Sequence, residues 1–469
     1  MSTGLVSQDT IVALATSPGA NGAIAVIRLS GSQAITITNT VFKGKDLQKQ
    51  ASHTIHFGTI RDGDEIIDEV LVSVFRGPNS YTKEDVIEIS THNSKYVIER
   101  LITLLIKKGA RAAQAGEFTL RAFLNGGMDL SQAEAVADLI ASENKASHEI
   151  AMNQMRGGIS NKLQEMREQL INFTALLELE LDFGEEDVEF ADRAQFEALV
   201  QELKTHIGKL IQSFAYGNAI KRGVPVAIIG KPNAGKSTLL NTLLDEERAI
   251  VSDIAGTTRD TIEESINIEG ITFRFIDTAG LRETADTIEA IGVTKAKEKV
   301  RQAKVLLYLY DDKDSTADEV IAQIKELYYP GLIVVLVRNK IDLLGGYQPN
   351  AMDTAIREAL FPNYSEALVP ISAKDSESVE ALKQTLLDNI RAMAVEDQQI
   401  ITNSRHVEAL ELALAALEQV EEGFAIQLPG DLLAHHVRAA LRHISSITGD
   451  IDVDRDILGT IFGKFCIGK

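Results

Sequence analysis

The stretch VPVAIIGKPNAGKSTLLNTLL, residues 224–244, constrains the fold of this chain more than any other. An apolar run ends at Gly230, the loop GKPNAGKS follows the pattern G-x-x-x-x-G-K-[ST], and a second apolar run begins at once. That order reads as strand, loop and helix. In such a setting backbone N–H groups and a helix N-terminus cradle phosphate oxygens. Lys236 then reaches the β- and γ-phosphates and Ser237 offers its hydroxyl to magnesium, with Asn233, Ala234, Gly235 and Thr238 around them.

Three further strings follow in order. DTAG (Asp277, Thr278, Ala279, Gly280) ends the strand-like ITFRFI, where a carboxylate can hold a magnesium-bound water and a glycine N–H can sense the γ-phosphate. NKID follows LIVVLV and contributes Asn339, Lys340 and Asp342; the Asp342 carboxylate can accept two N–H bonds from guanine, whereas adenine leaves it unpaired. SAK (Ser372, Ala373, Lys374) follows ALVPI and supplies a backbone contact to the base. Each string alone is short enough to arise by chance. Together, in order and each behind an apolar run, they imply a guanine-nucleotide site.

At 469 residues the chain is long enough for about three domains, and 45% apolar residues suffice for several cores. No stretch approaches the roughly 20 apolar residues of a membrane span, and MSTGLVSQDT lacks a basic segment before an apolar one. A cytoplasmic protein is expected. Cys466 is the single cysteine, which excludes an internal disulfide and agrees with a reducing compartment. The formal charge of −21 opposes non-specific nucleic-acid binding over the whole surface. Local basic candidates are Lys107, Lys108 and Arg111; Lys221 and Arg222; and Lys295, Lys297, Lys299, Arg301 and Lys304, all more simply read as solvated helix faces.

Texture changes twice along the chain. Residues 1–125 mix short apolar runs with one helical stretch at KYVIERLITLLIKKG, which predicts a small α+β domain. Helical periodicity then dominates, with Leu163, Met166, Leu170, Phe173, Leu177 and Leu181 on one stripe, and it returns after residue 400 with Val407, Leu410, Leu414 and Leu417. The economical arrangement is one helical domain, residues 126–222 and 393–469, interrupted by a nucleotide domain at 223–392; two separate small bundles are the other arrangement.

DTIVALATSPGANGAIAVIRLSG (residues 9–31), GEFTLRAFLNGGMDLSQAEA (116–135), the nucleotide site through GTTRD, and the terminal CIGK together resemble the MnmE (TrmE) family of tRNA-modification GTPases. The resemblance implies an N-terminal α+β tetrahydrofolate-binding domain, a discontinuous α-helical domain and an inserted Ras-like P-loop GTPase domain. It implies a homodimer that joins an MnmG (GidA)-type flavoprotein in a heterotetramer, without a membrane. Together they would add a carboxymethylaminomethyl or aminomethyl group at C5 of the wobble uridine of certain tRNAs. It implies 5-formyltetrahydrofolate or a related tetrahydrofolate on Arg28, Glu88 and the C-terminal Lys469. Where the family commonly has a basic residue in N-G-K-x-D-L, this chain has Gly127.

Leu281 follows DTAG, so the glutamine that orients water in many small GTPases is absent. The resemblance gives that role to Glu289, and leaves Glu283 as helix surface. No arginine finger is evident, although Arg259 and Arg282 hold switch-like positions. The resemblance extends the nucleotide site over Ser252, Asp253, Ile254, Ala255, Gly256, Thr257 and Thr258. Potassium would be held by Asn233 and by the carbonyls of Ser252, Ile254 and Thr257, and magnesium by Ser237 and Thr258. A monovalent cation against phosphate oxygens can supply the charge that an arginine gives elsewhere.

Three patterns are set aside. DIDVDRD (450–456) has Arg455 where a calcium loop needs glycine and Ile461 where it needs an acid. CIGK ends in Lys, against prenylation. No histidine pairs with Cys466 at zinc spacing. A ribosome-assembly switch GTPase, acting as an RNA or protein binding module, explains the centre equally well but neither the N-terminal motifs nor CIGK.

Overall fold

The computed structural model describes residues 9–17, 22–182, 193–248, 264–276, 297–361, 363–364, 367–393 and 399–449. The chain divides into two compact units, each assembled from separated segments. One comprises Met1–Ala141, Met152–Phe196 and Ala415–Lys469, the other Ser142–Ala151 and Glu197–Leu414. The helices expected to form one discontinuous domain are divided between these units.

The first unit opens on a sheet of β1 (Ile11–Leu14), β2 (Ile24–Ser30), β3 (Phe42–Lys43), β4 (Thr54–Asp62), β5 (Glu65–Phe75), β6 (Val86–His92) and β7 (Arg111–Ala112). Their order is β3-β4-β5-β6-β2-β1-β7, antiparallel except for β1 with β7. Alternation decides the faces. Val12, Ile27, Leu29, Val70, Val72, Val74, Ile87 and Ile89 point into a core closed by the helices Ala34–Val41 and Lys95–Lys107. The latter contributes Leu101, Leu104 and Leu105 at helical spacing. On the opposite face Ile11 and Ala13 meet Phe118 from the helix Glu117–Leu124.

Much of what makes the N-terminal motifs distinctive is an ion network. Arg121 is wholly buried, and its guanidinium donates to the Asp9 carbonyl at 2.9 Å and the Asp9 carboxylate at 2.8 Å. It also reaches Glu84 at 3.2 Å and Glu117 at 3.1 Å. Arg111 closes the ring from outside, on Glu117 and on Asp9 at 2.6 Å each. Burial works to raise the Glu117 carboxyl, but hydrogen bonds from Arg111, the Gln114 N–H and Arg121 outweigh it and hold it below its ordinary range.

Further along this unit, Asp129 and Gln132 form a reciprocal capping box that starts the helix Leu130–Ile140. The helix Gly158–Asp182 buries Leu163, Met166 and Leu170 and packs against Gly430–Thr448, with Arg167 Nε donating to Ser445 Oγ at 3.0 Å. Phe173, Leu177 and Leu181 have side chains outside the described set.

The second unit is built on β8 (Val224–Gly230), β9 (Glu264–Ile268), β10 (Ile271–Phe275), β11 (Val305–Tyr310), β12 (Ile333–Arg338) and β13 (Ala367–Pro370). Their order is β13-β12-β11-β8-β10-β9, with only β9 antiparallel. β11 is buried at every residue, as a central strand between two helical layers must be. Val305, Leu307 and Leu309 join one core with the helices Lys236–Arg248 and Ser376–Arg391. Leu306, Tyr308 and Tyr310 join the other with Ala317–Leu327 and Ala351–Leu360. The strand order reverses beside β8, which opens a crevice at the carboxyl ends of β8 and β11.

In the helix Ser404–Ala425, Leu410 and Leu417 are buried but Val407 and Leu414 only flank the buried stripe. Its centre includes Ala409, Ala413 and Ala416, small residues that allow close approach. No described helix is long and apolar enough to cross a membrane.

Removing Arg121 leaves three carboxylates without their buried cation, which costs about 3–5 kcal/mol. Arg121→Met is therefore expected to lower the urea midpoint of the first unit sharply. Arg111→Met, whose side chain is 40% exposed, should cost under about 1 kcal/mol. Glu117 adds an acid limit. Its folded value lies below its ordinary 4.5, so its stabilisation is full above that pH and is lost as pH falls. Acidification should destabilise the protein less in Glu117→Gln than in the parent.

Candidate nucleotide-binding site

β8 delivers the chain to the phosphate loop beside β11, so closely that a Cβ on Gly230 would lie 2.2 Å from the Leu309 carbonyl oxygen. The loop then turns through Asn233 at φ 62° and Gly235 at φ 99°. Gly235 has a second reason to lack a side chain, since its Cβ would sit 2.1 Å from the Asn339 amide nitrogen. Lys236 opens the following helix and folds back, donating to the carbonyls of Gly230 and Lys231 at 2.7 Å each. Burial, with Lys299 adding to it, holds the Lys236 ammonium below its ordinary range. Ser237 stands exposed on the first helical turn, where a helix presents N–H groups without intrahelical acceptors.

Asn339 joins this loop to the base side. It is 3% exposed, and its amide nitrogen donates to the Ala234 carbonyl at 2.7 Å. Its amide oxygen accepts from the N–H of Ala373 at 2.9 Å and of Lys340 at 2.8 Å. The loop carrying Ser372, Ala373 and Lys374 is further held by Thr242 Oγ1, which donates to the Ala373 carbonyl at 2.6 Å. Ser378 Oγ accepts from the Ser372 N–H at 3.0 Å. Lys340 takes a left-handed φ of 66°, so the chain can turn at once into the short helix Ile341–Leu344. That leaves Asp342 exposed, its carboxylate without a hydrogen bond or ion pair among the described residues.

The turn into this loop is fixed by Arg338, the last residue of β12. It is 2% exposed, reaches Asp312 at 2.8 and 2.5 Å, and also pairs with Asp353. Sequence reasoning missed Thr242, Arg338 and Ser378. Arg338 carried a signal, a charged residue closing a strand of otherwise continuous apolar character; a lone threonine or serine in a helix carries none.

Of the expected nucleotide residues, the structure brings together Asn233, Ala234, Gly235, Lys236, Ser237 and Thr238 with Asn339, Lys340, Asp342, Ser372, Ala373 and Lys374. The Ile276 N–H bonds to the Val226 carbonyl at 2.9 Å, and Asp277 follows. Residues 252–258, 277–280, Arg259, Leu281, Arg282, Glu283 and Glu289 lie outside the described residues. So do Lys469, Cys466 and the segment 450–456.

Arg28 and Glu88 stand directly opposite on β2 and β6. Arg28 donates from Nε at 2.9 Å and Nη2 at 2.7 Å to one Glu88 oxygen, and its guanidinium lies 5.5 Å from the Tyr81 ring centre and 5.7 Å from that of Phe118. A Cβ on Gly127 would lie 2.9 Å from the Ala122 carbonyl oxygen and 3.4 Å from two carbons of the Lys83 side chain. Lys83 thus occupies the flank that a side chain at 127 would take. Of the basic candidates, Arg111 is spent in the Arg121 network and Lys297 pairs with Glu326 at 2.9 Å. No group of acids, histidines or cysteines among the described residues could hold a metal ion by itself.

A parallel sheet that reverses beside a phosphate loop, with an N-K-x-D asparagine buttoned to that loop, places the chain among the P-loop GTPases. Comparison with known proteins narrows the class. Residues 10–127 match the family model of the GTP-binding protein TrmE N-terminus, and residues 130–466 that of the MnmE helical domain. The chain is 54% identical to the tRNA modification GTPase MnmE of Cytophaga hutchinsonii, covering 100% of both chains. With the protein of that name from Flavobacterium johnsoniae it is 53% identical, over 99% of this chain and 100% of the relative. It belongs to the MnmE family. A solved GTP-binding protein from Sulfolobus solfataricus in complex with GDP is 17% identical over 50% of this chain and 68% of its own, with a TM-score of 0.27, too slight a likeness to argue from.

Asn339→Ala strands the Ala234 carbonyl and the Ala373 N–H at once, and each buried unpaired group costs about 1–3 kcal/mol. The expected result is a loss of GDP affinity of about tenfold or more. Hydrogen exchange at Ala373 should quicken in the same variant.

Proposed function

We propose that this GTPase acts on tRNA, adding a carboxymethylaminomethyl or aminomethyl group to C5 of the wobble uridine together with an MnmG-type flavoprotein. The observation that carries the reading is identity above half with a named tRNA modification GTPase along the entire chain, at both ends as well as in the GTPase centre. Asp342 reads guanine, since its exposed carboxylate is left for the ligand, and Ser372, Ala373 and Lys374 form the opposite wall. Lys236 and the loop from Asn233 to Thr238 take the phosphates. Magnesium would be held by Ser237 and Thr258 and would neutralise phosphate charge.

Potassium would be held by Asn233 with the carbonyls of Ser252, Ile254 and Thr257. Asn233 suits that role because it is exposed in the phosphate loop, and no hydrogen bond holds its side chain among the described residues. Asp253, Ala255 and Gly256 complete that segment. Asp277, Thr278, Ala279 and Gly280 frame the γ-phosphate, and Glu289 orients water. A folate would lie by Arg28 and Glu88, where a paired guanidinium and carboxylate beside the half-buried Tyr81 ring offer polar and flat surfaces together. Lys83 supplies there the cation that Gly127 does not, and Lys469 would complete the set.

Two architectural readings go with this. The GTPase, residues 223–392, is an insertion into a helical domain of residues 126–222 and 393–469. In support, the Ile401 N–H donates to Ser213 Oγ at 3.1 Å, and a Cβ on Gly217 would lie 2.2 Å from the Ile401 carbonyl oxygen. A homodimer through the N-terminal domain (1–125) is favoured by Phe57 and Leu71, which face each other across β4 and β5 at 67% and 47% exposure. Such a complex would work in the cytoplasm.

The test is the wobble nucleoside in cells lacking this protein. Loss of the C5 group is expected; intact modification with accumulated ribosomal precursors would favour a ribosome-assembly switch instead. Hydrolysis is expected to be faster in potassium than in sodium. Glu289→Ala should lower turnover by about 10²-fold with nucleotide affinity nearly unchanged, as loss of a water-orienting group does. Equal rates in the two salts would remove the cation from the mechanism.

A further inference from the structure

The turn after β11 reads DDKDSTADE, residues 311–319, and cations from both nucleotide loops converge on it. From the phosphate loop, Lys231 Nζ donates to the Asp314 carbonyl and to Glu319 Oε2, each at 2.7 Å. From the base loop, Lys340 Nζ donates to Asp311 Oδ2 at 2.6 Å. The turn itself is stiff. Asp311 Oδ1 accepts the N–H groups of Lys313 at 3.0 Å and Asp314 at 2.9 Å, and Thr316 and Glu319 form a reciprocal cap on the next helix. The Lys231 carbonyl meanwhile accepts from Lys236, so the residue that grips the turn also seats the phosphate lysine.

We propose that this acidic turn is a strut that sets the spacing between the phosphate-holding and base-holding loops, with Lys231 as a positioning residue that never touches the nucleotide. Asn339 ties the two loops at one point, and with that tie alone each could still pivot and would have to be ordered when nucleotide binds. Loops pinned to one turn are ordered together beforehand, so part of that cost is already met. Hydrogen bonds from Lys231 and then from Thr316 draw the Glu319 carboxyl down to about 2, in line with a carboxylate held from both sides. Arg338 adds to the same anchorage from beneath, through Asp312.

The proposal rests on reading residues 230–237 as the phosphate loop, and Lys236→Ala is the control that separates the two. The experiment titrates a fluorescent GDP analogue into the full-length protein and four variants: Lys231→Met, Asp311→Asn, the double variant and Lys236→Ala. No hydrogen bond or ion pair joins Lys231 to Asp311 among the described residues, so coupling between them is read through the turn. Each single substitution is expected to raise Kd about three- to fivefold, the most a partly exposed ion pair supplies. The double variant should be little weaker than the weaker single, because releasing either end already frees the strut. Turnover at saturating GTP should stay within about twofold for Lys231→Met, the pattern of an interaction that binds ground and transition states alike. Effects that multiply in the double variant, or a wild-type Kd for Lys231→Met beside a weak Lys236→Ala, overturn the strut. A wild-type Kd for Lys236→Ala overturns the phosphate-loop reading itself.

Discussion

The site depends on one side-chain amide. Asn339 uses its nitrogen on the phosphate loop and its oxygen on the 372–374 loop and on its own loop, so three segments far apart in sequence share one hydrogen-bonded centre. Only an amide has both a donor and a two-fold acceptor on adjacent atoms; aspartate lacks the donor and leucine both. Much of the surrounding construction serves that contact. β12 is buried so that Asn339 emerges at a fixed height, Gly235 gives up its side chain to let the amide in, and Arg338 locks the turn beneath it. Because the amide is nearly buried, its bonds compete with no water, and loss of any one leaves a group that cannot be solvated in place.

The N-terminal motifs divide between two kinds of work. Asp9, Glu117 and Arg121 are as distinctive in the sequence as the nucleotide loops, yet they spend their charges on one another around a wholly buried guanidinium. Arg28 and Glu88 also pair with each other, but on a partly exposed sheet face with Tyr81 and Phe118 beside them. A buried guanidinium shared among three carboxylates holds a fold, whereas a pair whose two members both reach the surface can be shared with a ligand.

The nucleotide loops were legible because each is a short string with a fixed chemical role, placed after an apolar strand whose periodicity is unmistakable. The α+β start and the helical stripes were legible for the same reason, and Leu163, Met166 and Leu170 are buried as their spacing implies. In Ser404–Ala425 the buried face takes in Leu410 and Leu417 but leaves Val407 and Leu414 at its flank, because Ala409, Ala413 and Ala416 fill it by size where hydrophobicity alone marks a different stripe. Illegible were the contacts between distant residues, such as Thr242 on Ala373 or Lys231 on Glu319. Hydroxyls and surface ions carry no periodic signal; only the folded register brings them together.

How a chain of charge −21 binds a polyphosphate follows from the same contacts. Its long-range field repels the ligand, so attraction has to come from donors within a few ångströms, where a low local dielectric makes them strong. Three lysines in or beside the site are kept in place by nearby oxygen: Lys236 by two carbonyls, Lys231 by Glu319, Lys340 by Asp311. The pairs differ in a telling way. Lys231 and Lys340 face carboxylates, which hold a cation firmly, whereas Lys236 faces only neutral carbonyls and is partly desolvated. On the proposed reading, a phosphate would outcompete the partners of Lys236 but not those of the other two. On that reading the acidic turn immobilises Lys231 and Lys340 and leaves the Lys236 ammonium to transfer to the nucleotide.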